Sequence, residues 1–442
     1  MRLLTLVPLI LALLAAPAAA KGSRKIKRKL PPEFKYTDCE DDEAAAKQLE
    51  QLVKRYSTPA KCSSLIRQLR TKRPYPSRTP DRDTLDYRCP DGKTRQFTYI
   101  LPSRYSRRKP AGVLFFLHGA IRQPAPGGGA NEANMFAPAV RDLGLIVVGP
   151  STYDGVEWGT PACRALIHHA FDFLKMHFNV DENRVYIAGH SDGGRGAFAL
   201  LESEATFFAA AVPVIGAPGG VRRFGNLRNV PIFAINGAKD TLFEIDKVRE
   251  AMKAMEATGI DLTFKEIADA GHDPRLFLTH KDEVCAFLKK HPREPYPEEV
   301  VLQWEPTEED PQLFPADTMR WIRIDEIGPA PSNGTFEDPP GSLLRRGMPR
   351  LEARREGNRI EVTTRDVMRY TLLVSDEMFD LSKEIEIVTN GENSFTGKLE
   401  PDARVILEEA RRFKDRKLVF SNRVGVVIGE SDDDEGTEIE IE

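Results

Sequence analysis

Between residues 94 and 292, short apolar runs alternate with stretches whose apolar residues recur every three or four positions. Gln96–Leu101, Gly112–Leu117, Leu143–Val148, Val185–Ala188, Ala209–Ile215, Pro231–Ile235 and Leu262–Ile267 are the runs, and each is short enough for a strand. Ala162–His177 is helical by period, with Leu166, Ile167, Ala170, Phe171 and Leu174 on one stripe. Further helices are expected at Gly194–Ser203, Ile245–Thr258 and Pro274–Lys290. Continuously apolar strands separated by amphipathic helices predict an α/β unit with a mostly parallel sheet covered on both faces.

The pattern differs on either side of this unit. Residues 21–93 form an N-terminal extension, with one or two helices over Glu43–Arg70 broken near Pro59, then a connecting loop over 71–91. A proline- and acid-rich linker is expected over 293–314. Residues 315–430 carry β-branched and aromatic strand-like segments, the hairpin signal Asn390-Gly391 and one inserted helix over Pro401–Phe413. They read as a small β-rich C-terminal domain, and 431–442 as an acidic, solvated tail.

Composition narrows the classes. The chain has 442 residues and a formal charge of −4, too long for one ordinary core and without the basic surplus of a nucleic-acid binder. Residues 1–20 join Arg2 to the apolar run Leu3–Leu14 and the small residues before Lys21. They read as a signal peptide cleaved near Ala20, which implies a secreted or periplasmic protein with no stable membrane insertion. Five cysteines are an odd number, and Cys39 with Cys62 is the expected local staple. Their spacing fits no metal site, and the chemistry below needs no cofactor.

The candidate chemistry centres on Gly189-His190-Ser191-Asp192-Gly193-Gly194, between an apolar strand and a helix start. G-x-S-x-G in that context is a nucleophile elbow: the tight turn lifts the serine oxygen above the sheet, and only small neighbours let strand and helix approach. An acyl-transfer serine needs a base, an acid to orient it, and two N–H donors for the oxyanion. Asp240 follows the strand Pro231–Ile235 through Asn236-Gly237-Ala238-Lys239, at the sheet edge where open α/β folds bind ligands. His272 follows the next strand, and of the eight histidines it alone has that position without being tied to an earlier glycine turn. Asp273 is the lesser candidate for the acid, because a sequence neighbour reaches the inner imidazole nitrogen with difficulty. One oxyanion donor is Asp192 N–H. The other is Gly119 or Ala120, with Ala120 favoured, in the turn His118-Gly119-Ala120. Trp158 is a candidate for binding a substrate ring, or equally a packing residue of its loop. Arg195 is expected to pack or pair on the helix rather than bind an acidic substrate.

Leu117-His118-Gly119, the elbow, Asn236-Gly237-Ala238-Lys239-Asp240 and Gly271-His272 together resemble α/β-hydrolases over about 95–292. More narrowly they resemble secreted esterases grouped with polyhydroxybutyrate depolymerases, feruloyl esterases and phospholipase/carboxylesterases, and also prolyl-oligopeptidase-type peptidases. The resemblance implies an α/β-hydrolase fold and a serine carboxylic ester hydrolase acting on a small-molecule or polymer ester, with peptide hydrolysis as the alternative. The long proline-rich loop after Gly119 departs from the pattern. A binding protein that contacts polysaccharide or a cell surface through 315–430 is the reading from another class.

Overall fold

The computed structural model describes residues 30–428, apart from 72, 77–78, 126, 307–315, 330–332 and 345–347. The expected signal peptide, residues 21–29 after it, most of the second half of the expected linker and the acidic tail lie outside the described residues. Three helices open the described residues: α1 (Pro32–Thr37), α2 (Asp42–Arg55) and α3 (Pro59–Thr71). The central unit follows as β1 (Arg82–Arg88), β2 (Thr94–Ile100), β3 (Ala111–Leu117), α4 (Gly128–Phe136), β4 (Leu145–Ser151), α5 (Pro161–His177), β5 (Val180–His190) and α6 (Asp192–Glu204). It continues as β6 (Ala210–Val214), α7 (Phe224–Leu227), β7 (Ile232–Gly237), α8 (Ile245–Ala257), β8 (Leu262–Ile267), α9 (Leu276–Thr279) and α10 (Lys281–Lys290).

The eight strands form one sheet in the order β1-β2-β4-β3-β5-β6-β7-β8. β1–β2 and β2–β4 are antiparallel and the remaining pairs are parallel. Alternation along β3 divides the core: Val113, Phe115 and Leu117 face one apolar layer, while Leu114 and Phe116 face the other. Every residue of β3 is buried, which is why the sequence reads as an unbroken apolar run. This is the α/β-hydrolase arrangement expected from the sequence.

Three elements depart from expectation. β1 lies in the segment read as a loop; as an edge strand whose residues are exposed or half-buried it carries little apolar signal. α4 begins inside the Pro/Gly-rich loop, because Gly129 lets it approach within contact of Gly149 and Pro150 on β4. The final helix breaks at His280 into α9 and α10.

Residues 293–303 are a folded join and do not act as a free linker. Arg293 is buried, and β9 (Glu299–Gln303) is the edge of a second sheet. The C-terminal part adds β10 (Thr318–Met319), β11 (Ile322–Ile327), β12 (Arg350–Glu356), β13 (Arg359–Arg365), β14 (Val367–Val374), β15 (Ile385–Thr389), β16 (Glu392–Gly397), α11 (Ala403–Phe413) and β17 (Asn422–Val427). They form a four-stranded sheet, β10-β11-β14-β17, and a five-stranded one, β16-β15-β13-β12-β9. Tyr370 Oη and Thr389 Oγ1 join the two sheets at 2.7 Å. Trp321, Tyr370, Phe379 and Phe395 are all buried, so these aromatics build core and present no binding platform.

Both flanking parts are attached. Leu52, Leu65, Ile66 and Leu69 of the N-terminal helices share a core with Ile406, Leu407 and Ala410 of α11. Cys62 lies in that core and its thiol donates to Tyr56 O, while the Cys39 thiol donates to Asp41 O; the expected Cys39–Cys62 staple is absent and both thiols are free. The side chains of Asn226 and Asn229 pair with the backbone of Gln303 and Val301 as another strand would, covering the β9 edge. Arg293 and Asp415 form an ion pair at 2.8 Å with both side chains fully buried. Arg320 donates to the Thr206 and Phe208 carbonyls and Arg416 pairs with Glu182. These anchors sit where the chain enters β5, β6 and β7. The C-terminal part therefore docks on the end of the sheet opposite the elbow. Among the described residues, no helix is long and apolar enough to cross a membrane.

Candidate active site

Ser191 stands between β5 and α6 with φ 55 and ψ −120, a strained conformation for a residue bearing a side chain. It is held there by close packing on every side. A Cβ on Gly193 would stand 2.1 Å from the Leu117 carbonyl oxygen, and one on Gly189 would stand 2.5 Å from the Gly193 oxygen. Ser191 N–H donates to Val214 O on β6 at 3.1 Å.

The three residues expected to act together do meet. His272 Nε2 lies 3.0 Å from Ser191 Oγ, and His272 Nδ1 lies 2.8 Å from Asp240 Oδ2. The Asp240 side chain is fully buried, and its other oxygen accepts from Leu242 N–H at 2.8 Å and Phe243 N–H at 3.0 Å. Those bonds aim the free oxygen at the imidazole. Phe243 stacks on His272 with 5.8 Å between ring centroids and 11° between planes. Asp273 points elsewhere, bonded to the Arg275 guanidinium, which holds its carboxyl below the usual range.

The turn after β3 is held from four directions. Trp158 donates its indole N–H to His118 O at 3.1 Å. His118 accepts Thr152 N–H at Nε2, so its proton is on Nδ1, which donates to Gly119 O at 2.7 Å. Gly119 N–H donates to His190 Nε2 at 3.4 Å, and Ile121 N–H to Asp192 Oδ2 at 3.2 Å. Ala120 sits between them with φ 52. The N–H groups on both sides of Ala120 are spent on the protein. Asp192 opens α6, and a first-turn N–H has no partner within its own helix. A Cβ on Gly119 would stand 3.0 Å from the Ser191 Cβ, which places the turn directly beside the serine.

Two side chains take definite positions among the readings left open. Trp158 is 1% exposed, with its ring edge-on to His118 and its face against Gly196. It supports the turn and is not an open platform for a substrate ring. Arg195 does pair, but loosely: its Nη2 is 3.7 Å from Glu157 Oε1 and the side chain is 37% exposed.

Sequence reasoning missed the layer behind the turn. His190 accepts at Nε2, so its proton lies on Nδ1, which faces Glu132 Oε2 of α4 at 3.7 Å. Burial, with His118 and His272 nearby, pulls His190 down to about 4. Burial pushes Glu132 up to about 7. His190 was legible as part of the elbow. Glu132 lies 58 residues earlier on a helix the Pro/Gly-rich loop concealed, and nothing local marks it.

Residues 154–291 match the model of the dienelactone hydrolase family. A bifunctional acetylxylan esterase/xylanase of Neocallimastix patriciarum is 27% identical over 172 residues, which are 38% of this chain and 25% of that protein. The chain thus spans about a quarter of that relative's length. Similar solved structures include a thermostable esterase, at 20% identity and TM-score 0.43 over 48% of this chain and 64% of that one. Another is the poly(3-hydroxybutyrate) depolymerase LpqC of Bordetella parapertussis, at 17% identity and TM-score 0.39 over 49% and 93%. By its own strand order and elbow the central unit has the α/β-hydrolase fold, and part of it is similar in sequence to the dienelactone hydrolase family and to an acetylxylan esterase/xylanase.

Proposed function

We propose that this protein is a serine carboxylic ester hydrolase. The observation that carries the reading is the continuous line Ser191 Oγ–His272–Asp240, at 3.0 and 2.8 Å, rising from a strained elbow. Ser191 Oγ attacks the ester carbonyl carbon while its proton passes to His272 Nε2. Asp240 keeps the imidazole in the tautomer with Nδ1–H and stabilises the imidazolium. The oxyanion is received by the N–H groups of Ala120 and Asp192. His272 then gives its proton to the departing alkoxide. Water, deprotonated by His272, attacks the acyl-enzyme carbonyl; the adduct expels Ser191 Oγ, which takes that proton back from His272, and the acid is released. Each half-reaction returns His272 to its neutral form, so the cycle closes without a further reactant.

The test is a comparison of 4-nitrophenyl acetate with a peptide 4-nitroanilide. The expected outcome is ester hydrolysis at least a hundredfold faster. A preference for the anilide would replace this reading with a peptidase. Residues 1–20 are part of the same proposal as an export signal, and N-terminal sequencing of the mature protein should begin at or close to Lys21.

A further inference from the structure

We infer that Arg195 is a specificity-determining residue that recognises a carboxylate on the substrate, so that the preferred ester is anionic. This rests on the serine-hydrolase reading of Ser191 and goes beyond it to the class of substrate.

Arg195 lies one helical turn beyond the nucleophile, and its N–H donates to Ser191 O at 3.0 Å. Ser191 precedes α6 and Arg195 closes its first turn, about 6 Å of helix rise further along. It borders a cleft of about 320 Å³ with Trp158, Asp192, Glu202, Gly219 and Arg223. Gly219 packs beside the guanidinium, a Cβ there standing 3.7 Å from Arg195 Nε, and a Cβ on Gly220, at φ 87, would have nothing within 4 Å.

The three arginines on this cleft are not equivalent. Arg164 is buried against Glu204 at 2.5 Å. Arg223 is bonded to Glu202 at 3.1 Å and mostly covered. Arg195 has its carboxylate partner at 3.7 Å, beyond hydrogen-bond range, and that partner, Glu157, is 65% exposed. An exposed pair at that distance contributes little. A substrate carboxylate can therefore displace Glu157 and form the bidentate contact that the guanidinium fork favours. The remaining acids are occupied: Asp192 Oδ2 accepts from Ile121 N–H, and Glu202 Oε1 from Arg223. Asp192, next to the nucleophile, and Ile121, next to Ala120, line the same cleft and link it to the serine.

The experiment compares kcat/KM for mono(4-nitrophenyl) glutarate with that for 4-nitrophenyl butyrate, in the full chain and in the Arg195→Gln, Arg195→Lys and Glu157→Gln variants. The expected glutarate-to-butyrate ratio is above ten in the parent protein, and it falls at least tenfold in Arg195→Gln. Arg195→Lys restores part of it, and Glu157→Gln raises it severalfold by removing the competing acid. Added salt lowers the parent ratio. A ratio below one in the parent protein, or an equal ratio in the parent and Arg195→Gln, overturns the inference. So does turnover of neither ester by a protein whose Ser191 still reacts with a fluorophosphonate. If Ser191 does not react, the serine-hydrolase reading itself has failed, and with it this extension.

Discussion

Asp240 divides its two oxygens between backbone amides and His272, so Asp240→Asn keeps the shape and loses the orientation. An amide at Oδ2 turns a donor toward Nδ1 and favours the wrong tautomer. The expected loss in kcat is about 10³–10⁴-fold with KM little changed, read from steady-state kinetics on an aryl ester. Behind the turn, His190 and Glu132 oppose each other in their effect on stability. His190 resists protonation until about pH 4, whereas in the unfolded chain it titrates near 6.5. Its contribution is thus present above 6.5 and is lost as pH falls through 4. Glu132 holds its proton up to about 7, against about 4.5 unfolded. Its contribution is present below 4.5 and is lost as pH rises through 7. Glu132→Gln removes the second trend and leaves the first, so urea midpoints measured from pH 5 to 7.5 should fall less, or rise more, in the variant than in the parent.

The elbow works as a packed joint between elements. Gly193 brings α6 against the last carbonyls of β3, and a Cβ there would stand 2.1 Å from Leu117 O and 2.9 Å from His118 O. Backbone cannot yield without shifting the oxyanion turn. Gly193→Ala should cost about 3 kcal/mol of stability by denaturant titration and most of the activity. Legibility in the sequence followed the same logic. The elbow, Asp240 and His272 were readable because the chemistry fixes what must follow each strand and in which order. Strand β3 was readable because both its faces are buried. β1 was not, because an edge strand with half-buried residues has no apolar run. β9 was hidden among prolines and acids, since its edge is satisfied by Asn226 and Asn229 from 77 and 72 residues away. The burial of Trp158 also depended on distant partners, His118 and Gly196, which no local pattern records.

At the scale of the whole molecule, the added parts grip the sheet from the end opposite the site. The change in composition near residue 293 marks a second pattern, but docking is decided by side chains scattered over 200 residues. The Arg293–Asp415 pair is the clearest test of that attachment, since both side chains are fully buried. Asp415→Asn leaves the guanidinium uncompensated and should destabilise the protein by about 3–5 kcal/mol, measured by chemical denaturation. Because the anchors are remote from Ser191, kcat of the folded fraction should change by less than about twofold.

The central claim is that Ser191, activated by His272, is the nucleophile. The most direct measurement is mass spectrometry of the intact chain and of its Ser191 peptide after reaction with a fluorophosphonate. The account predicts one adduct, on Ser191, with ester hydrolysis lost in step, and none in Ser191→Ala or His272→Ala at the same exposure. An unmodified Ser191, or a Ser191→Ala protein that still hydrolyses the aryl ester, would contradict it.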